Sequence, residues 1–251
     1  MKVLAIAFTV RREEKPMTLR MTEEICKRIR ARGGEDTETE IVTMSEIAIR
    51  PCLGCKNCFR NGLCPQDRAD GMDGLRKKIR GCDALVVATP VYTVMVSGWC
   101  KNFLDRCASY CHVFELAGKP CLVMSVTGAT GAERAADYLS EIMESMGCAV
   151  AGQLALRRTG EGTVIGSAAA DEAAERAVAA LMDAAANPEK YISERAERQF
   201  AGVRAFCRQS EVLMLLSGEP CSWEVSSFRE RGYLDCASLK EALKVGGKAH
   251  E

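Results

Sequence analysis

The sequence predicts an α/β chain: a doubly wound, five-stranded parallel sheet followed by a mostly helical C-terminal extension. Three observations carry this. Short apolar runs alternate with amphipathic stretches up to about residue 160. The stretches between the runs have the length and spacing of crossover helices, the mark of β/α units. The alternation then stops after Asn187-Pro188, where no strand-like run remains.

Residues 2–8 are a compact, branched-rich run, read as a buried strand. Leu19, Ile25 and Ile29 are spaced for a helix that the Gly33-Gly34 pair stops. Ile41 and Val42 sit in a short Thr-rich strand over 37–44. Residues 71–80 form an amphipathic helix with Leu75 and Ile79 inward. Residues 84–89 are a buried strand that Pro90 is expected to halt, and 97–110 read as the helix after it. Residues 120–126 are the fourth strand. Leu139, Ile142, Met143 and Met146 stripe the next helix, and 150–156 are the fifth strand. An Ala-rich helix covers 168–186. Right-handed crossovers make such a sheet doubly wound. Its ligands sit beyond the carboxyl ends of the strands, which points to the loops after Phe8, Met44, Thr89 and Val126. The organisation expected is a domain over 1–187 and an extension over 188–251, with a long helix over 191–216 packed on the core or on a second subunit.

The chain has 251 residues, with 34 Lys+Arg against 34 Asp+Glu. Zero net charge argues against a protein built to neutralise phosphate backbones, so no nucleic-acid partner is expected. With 27% charged and 47% hydrophobic residues the composition is globular. No window holds the roughly 18 apolar residues of a membrane span. The first residues lack the pattern of a signal peptide, so the expected location is the cytoplasm. There, 14 cysteines beside two histidines read as metal ligands, redox groups or core thiols before disulfides.

The sharpest motif is Cys52, Cys55, Cys58 and Cys64, spaced C-x2-C-x2-C-x5-C within a loop over 51–65. Two residues between cysteines let a tight loop turn its sulfurs toward one point. Three thiolates so placed suit three corners of a cubane cluster, and the fourth closes the site after the Asn61-Gly62 turn. Gly54 and Gly62 supply freedom where the chain must curl. Four cysteines also suit a tetrahedral zinc, although structural zinc sites commonly use two separated C-x2-C pairs. Free or reversibly oxidised thiols are the third reading. Cys107, Cys111 and His112 offer a weaker, second metal-site reading, and Cys207, Cys221 and Cys236 in the tail carry no ligand signature. Cys100, Cys107 and Cys111 fall on one face of the expected 97–110 helix, and Cys26, Cys82, Cys121 and Cys148 lie beside apolar runs, where small buried thiols are ordinary.

The strand ending at Thr89 runs into Pro90, Val91, Tyr92, Thr93 and Val94, then Ser97-Gly98 and Lys101-Asn102-Phe103-Leu104-Asp105-Arg106. This segment resembles the S-P-V-Y…S-G…K-x-F-L-D-R stretch of the flavodoxin-like, NAD(P)H-dependent FMN reductase superfamily. With the cysteine loop it is similar to the iron–sulfur flavoproteins of anaerobic archaea and bacteria. The resemblance implies strand order 2-1-3-4-5, FMN as cofactor and a 4Fe–4S cluster on the four cysteines. It implies that residues 89–94 line the flavin ring, with Thr127, Gly128 and Gly131 at its other edge. The first loop departs from the family pattern: Phe8 and Val10 replace its glycine and proline, and Glu13 and Glu14 add negative charge. Thr9, Arg11 and Arg12 still offer donors to a phosphate, and Thr18 is suited to cap the following helix where an anion would sit.

These features lead to an electron-transfer flavoprotein working between a ferredoxin-like or NAD(P)H donor and a small-molecule acceptor, and the resemblance implies a homodimer or homotetramer. A second reading is an NAD(P)H-dependent FMN oxidoreductase acting on quinones, azo compounds or flavins without a cluster. A third is a flavodoxin-like scaffold that has lost FMN and serves as a binding subunit.

Overall fold

A computed structural model describes residues 1–10, 15–157, 168–218 and 220–246. Its strands are β1 (Lys2–Ala7), β2 (Glu38–Thr43), β3 (Ala84–Tyr92), β4 (Met95–Val96), β5 (Pro120–Thr127) and β6 (Ala149–Arg157). The sheet runs β2-β1-β3-β5-β6, every neighbour parallel. The two-residue β4 only folds back on the end of β3 as an antiparallel hairpin. Set aside, it leaves the expected order 2-1-3-4-5.

Helices cover both faces, as period-2 strands with two apolar faces require. Leu4, Ile6, Leu85 and Val87 point to the face packed by α4 (Met72–Gly81), α5 (Gly98–Arg106) and α7 (Ala132–Ser145). Val3, Ala5, Val86 and Ala88 point to the other, packed by α1 (Met17–Gly33) and α8 (Ala168–Ala186). Gly34, with φ +74°, ends α1 where the sequence places the stop. The short helix α2 (Asn57–Asn61) lies within the cysteine motif and carries Cys58, α3 (Asp67–Asp70) follows the motif, and α6 (Tyr110–Val113) follows α5.

Three elements differ from the sequence reading. β3 is not halted by Pro90 but continues to Tyr92. The Ala88 carbonyl accepts from Phe8 N–H on the β1 side. By alternation Pro90 faces that same side, where β1 has already ended, so no ladder bond is lost. The helix expected over 97–110 stops at Arg106. Arg76 Nη2 donates to the Arg106 carbonyl at 2.5 Å, and Tyr110 N–H goes to Cys107 instead. Cys100, Cys107 and Cys111 therefore do not share one helical face, yet Cys100 and Cys107 are packed as expected. Tyr191 lies in a 3₁₀ turn (Pro188–Tyr191), and the long helix α9 begins at Glu194 behind the Ser193 cap.

α9 (Glu194–Ser217), α10 (Trp223–Glu230) and α11 (Leu239–Gly246) build a third cluster. Phe200, Val225, Phe228 and Tyr233 close on Phe114 and Ala149 of the sheet-bearing part. Phe114 and Phe200 meet edge to face at 5.3 Å. The far end of α9 stays uncovered, with Phe206, Val212, Leu213, Leu215 and Leu216 exposed.

Candidate functional site

Two clefts open at the carboxyl edge of the sheet, at opposite ends of α5. The first, of about 280 Å³, is lined by Thr9, Pro16, Met17, Thr18, Pro90, Val91, Tyr92, Val126, Thr127 and Gly128. These come from the loop after β1, the start of α1 and the carboxyl ends of β3 and β5, where a doubly wound sheet presents its ligands. Pro16, extended at φ −65° and ψ 150°, starts α1, and no acidic residue occupies the first turn. The capping expectation for Thr18 is corrected: Thr18 lies inside that turn, buried, and its carbonyl accepts from Thr22 Oγ1 at 2.8 Å. The leading N–H groups of α1, which no helical carbonyl takes, open beside the hydroxyl-bearing Thr9, Thr18 and Thr127.

Thr89 is fully buried and outside the lining. Its hydroxyl accepts from Ser97 N–H at 3.1 Å and donates to the Pro90 carbonyl at 3.0 Å. Ser97 in turn donates to the Phe8 carbonyl at 3.2 Å and accepts from Cys100 N–H at 3.3 Å. One hydroxyl pair thus ties the ends of β1 and β3 to the start of α5. Thr93 and Val94 form the two-residue hairpin between β3 and β4, both left-handed at φ +50° and +57°. Such a conformation is strained for β-branched residues. Gly131, at φ +92°, lies under Val94: a Cβ there would meet Val94 Cα at 2.7 Å. Tyr92 is 57% exposed at the cleft mouth. A Cβ on Gly128 would meet no atom within 4 Å. Thr127 accepts from Ala129 N–H at 3.1 Å, which shapes that loop. Arg11 and Arg12 lie outside the described residues.

The second cleft, of about 360 Å³, is lined by all four cysteines of the motif, with Leu53, Phe59, Pro65, Gln66, Asp105 and Arg106 among its walls. Gly54 and Gly62 both adopt positive φ, as the curled loop demands, and so does Lys56. Gln66 Nε2 donates to the Pro51 carbonyl at 3.0 Å and closes the neck of the loop. Asn57 Nδ2 donates to the Leu63 carbonyl at 2.8 Å across it. Cys52 and Cys55 are exposed, and Cys58 and Cys64 half-buried. Burial pushes the Cys58 thiol up, the Ser109 hydroxyl opposes this, and the neighbouring thiols of Cys64 and Cys52 add to it. Among the described residues no three His, Cys, Asp or Glu side chains stand together as a site for a metal ion.

Both ends of the cysteine loop are braced by residues to which the sequence reading gave no such role. Arg106, the last residue of α5, pairs with Asp67 at 2.6 Å and with Asp70, and donates to the Arg50 carbonyl at 3.2 Å. Asp70 accepts from Arg50 N–H at 3.0 Å and Met72 N–H at 3.2 Å. Arg76 holds Asp67 at 2.8 Å and lies over the Tyr110 ring at 4.9 Å. Burial alone would raise Asp70, but Arg106 and the two N–H donors outweigh it and hold its carboxyl below the usual range. Asp105-Arg106 ends the segment that drew attention for its flavin-type pattern, and that was the only signal for this brace in the sequence.

Residues 1–162 match the family model described as NADPH-dependent FMN reductase. An iron–sulfur flavoprotein of Archaeoglobus fulgidus is 33% identical over 111 residues, which is 44% of this chain and 50% of that protein. One from Methanocaldococcus jannaschii is 30% identical over 119 residues, 47% of this chain and 58% of that protein. The chain thus spans about half the length of these curated relatives. Among solved structures, RosB with bound 8-demethyl-8-formylriboflavin-5'-phosphate superposes with a TM-score of 0.60 at 19% identity, covering 84% of this chain and 88% of that one. The apo form of the NADH:FMN oxidoreductase EMOB gives 0.51 at 22% identity, covering 74% of this chain and 89% of that one. At these identities the superpositions show a shared fold.

Proposed function

The chain belongs to the NADPH-dependent FMN reductase family, and from that premise we propose an FMN-dependent oxidoreductase with a 4Fe–4S cluster on its cysteine loop. It relays electrons between a ferredoxin-like donor and a small acceptor. The observation that carries this reading is that Cys52, Cys55, Cys58 and Cys64 line one cleft at one end of α5, while the flavin-type loops line another at its other end.

The donor sets fit both groups. In the first cleft, the hydroxyls of Thr9, Thr18 and Thr127 and the start of α1 receive the phosphate, with Arg11 and Arg12 as the cationic donors of the same loop. Residues 90–94 and Gly128 border the ring, Gly131 holds the hairpin in place, and Thr89 fixes the strand end that carries them. In the second cleft, four thiols share one lining and would each ligate one corner iron of a polynuclear cluster. FMN accepts electrons in pairs and releases them singly, and the cluster passes one at a time. What the chain contributes is binding, orientation and exclusion of water, and no side chain need act as acid or base.

The same reading assigns residues 1–187 to the FMN-binding domain and 188–251 to the extension, in a cytoplasmic homo-oligomer. No helix among the described residues is long and apolar enough to cross a membrane. Exposed Phe206, Leu213 and Leu216 fall at heptad-like spacing on α9, and Gly202 on the same stripe leaves open space for a close neighbour. A second copy of α9 suits such a stripe.

Purification without oxygen tests the cofactors. The expected result is a visible spectrum with flavin bands and a broad cluster absorption, with about four irons and matching acid-labile sulfide per chain. Flavin without iron would point to an NAD(P)H-dependent FMN, quinone or azo reductase, and a colourless protein to a scaffold that has lost FMN. Cys55→Ser is expected to remove iron and keep flavin; unchanged iron would overturn the cluster assignment.

A further inference from the structure

The cysteine loop is backed by the C-terminal extension. Gly62 lies between Cys58 and Cys64, and a Cβ there would stand 2.6, 2.7 and 2.9 Å from Cε2, Nε1 and Cδ2 of Trp223. All three atoms belong to the five-membered ring of the indole, and their near-equal distances place its flat face over Gly62. Gly62 is also the left-handed cap of α2, at φ +74°, and its N–H donates to the Cys58 carbonyl at 3.2 Å. The turn that Trp223 covers is therefore the one that fixes Cys58 relative to Cys64.

A second grip lies one residue on. Glu224 Oε2 is 3.0 Å from His112 Nδ1, with the Glu224 side chain only 13% exposed. The His112 ring meets Phe59 edge to face at 4.9 Å. Phe59 follows Cys58 in α2 and lines the cysteine cleft. α10 is itself anchored, since buried Val225 and Phe228 belong to the cluster around Phe114 and Phe200. The Phe114–Phe228 ring contact of 6.4 Å ties it to the sheet-bearing part, and the Phe200–Phe228 contact of 5.5 Å ties it to α9. α10 thus adds a path of contact to the cysteine turn beside the direct Phe59–His112 contact.

We propose that Trp223 and Glu224 are positioning residues of the cysteine site, and that α10 backs the loop behind α2. Trp223 clamps the Gly62 turn, and Glu224, through His112 and Phe59, holds α2 with Cys58 on it. Neither side chain is a ligand. They set where two of the four thiols stand and close one side of the loop to solvent. As a statement about iron this rests on the cluster reading above; as a statement about loop order it does not.

The experiment uses the full-length chain and begins metal-free. Alkylation by iodoacetamide is followed cysteine by cysteine by mass spectrometry in the wild type, Trp223→Ala, Trp223→Phe and Glu224→Gln. Flavin content serves as the check that the sheet remains folded. In Trp223→Ala, Cys58 and Cys64 are expected to label about tenfold faster, because α2 then opens locally. Exposed Cys52 and Cys55 are expected to keep their rates. Trp223→Phe restores a flat ring on Gly62 and should return Cys58 and Cys64 towards the wild-type rate. Glu224→Gln should speed Cys58 labelling with Trp223 in place. Wild-type rates for Cys58 and Cys64 in both Trp223→Ala and Glu224→Gln would overturn the proposal. Loading with ferrous iron and sulfide without oxygen is the second arm: Trp223→Ala should hold less iron than Trp223→Phe and shift the cluster's midpoint potential. A wild-type chain that takes no iron would refute the cluster reading and leave the labelling rates to decide the role of α10.

Discussion

Arg106 and Asp70 form an ion pair from which water is excluded, with 0% and 1% of their side-chain surfaces exposed. Arg106 ends the helix that leads away from the flavin-type cleft, and Asp70 follows the cysteine loop. Their pairing therefore fixes one candidate site relative to the other. Removing one partner of a buried pair leaves the other charge uncompensated, at about 3–5 kcal/mol. Asp70→Ala is expected to cost about that much in denaturant unfolding. A loss below about 1 kcal/mol would show that Asp67 alone holds Arg106.

The pH dependence of the same pair has a definite sign. Arg106 and the Arg50 and Met72 N–H groups hold the Asp70 carboxyl below its ordinary value of 3.8. A carboxylate with a lowered folded-state pKa binds fewer protons folded than unfolded, so its stabilisation is fully present above the ordinary value. It is lost as pH falls through the lowered one. Urea midpoints of the wild type and Asp70→Asn, measured from pH 7 down to acid, should differ most near neutrality and converge below the carboxylate range. A constant gap across that range would contradict the assignment.

The strands β1, β3 and β5 were legible because each is largely an apolar run with helices at the expected intervals, and β2 was legible from Ile41-Val42 in a Thr-rich stretch. The cysteine motif was legible because its meaning lies in local spacing. Pro90 misled, because whether a proline ends a strand depends on where the neighbouring strand stops, and β1 stops first. The end of α5 at Arg106 was invisible for a similar reason: the carbonyl that would extend the helix is taken by Arg76, distant in sequence. Trp223 on Gly62 left no periodic trace either. α10 is short, and its burial is completed by Phe114 and Phe200 from other elements, so no stripe within it announces its target.

Gly128 offers a direct test of the first cleft. A Cβ there meets no protein atom within 4 Å, and Gly128 is absent from the positive-φ glycines. Gly128→Val should therefore leave thermal stability within about 0.5 kcal/mol of wild type. If the flavin edge lies against this backbone, the added branches occupy its space, and FMN affinity measured by fluorescence titration should fall tenfold or more, about 1.4 kcal/mol. Unchanged affinity would move the ring away from this loop.

The uncovered stripe of α9 predicts assembly. Leu216 is 81% and Leu213 59% exposed, an unusual arrangement for leucines on consecutive turns of a helix that stays alone in solution. Leu213→Glu with Leu216→Glu should convert an oligomer to a monomer by light scattering, with flavin content retained. An unchanged mass would place the interface elsewhere, and a monomeric wild type would remove the assignment.

Gly131 separates support from contact. It does not line the first cleft, yet a Cβ there would lie 2.7 Å from Val94 Cα and 3.1 Å from Val94 C. Backbone cannot move aside as a side-chain tip can, and φ +92° is itself unfavourable for alanine. Gly131→Ala is therefore expected to cost about 1–2 kcal/mol from the backbone conformation alone, and more if the hairpin yields. The yielding part is the Thr93-Val94 turn, already held at positive φ in two β-branched residues. It carries Tyr92 and the end of β3, so its displacement should also weaken FMN binding. Gly131→Ala should thus lower both thermal stability and flavin affinity, whereas Gly128→Val lowers affinity alone. A Gly131→Ala protein that melts early and binds FMN at wild-type strength would show that the hairpin does not border the flavin.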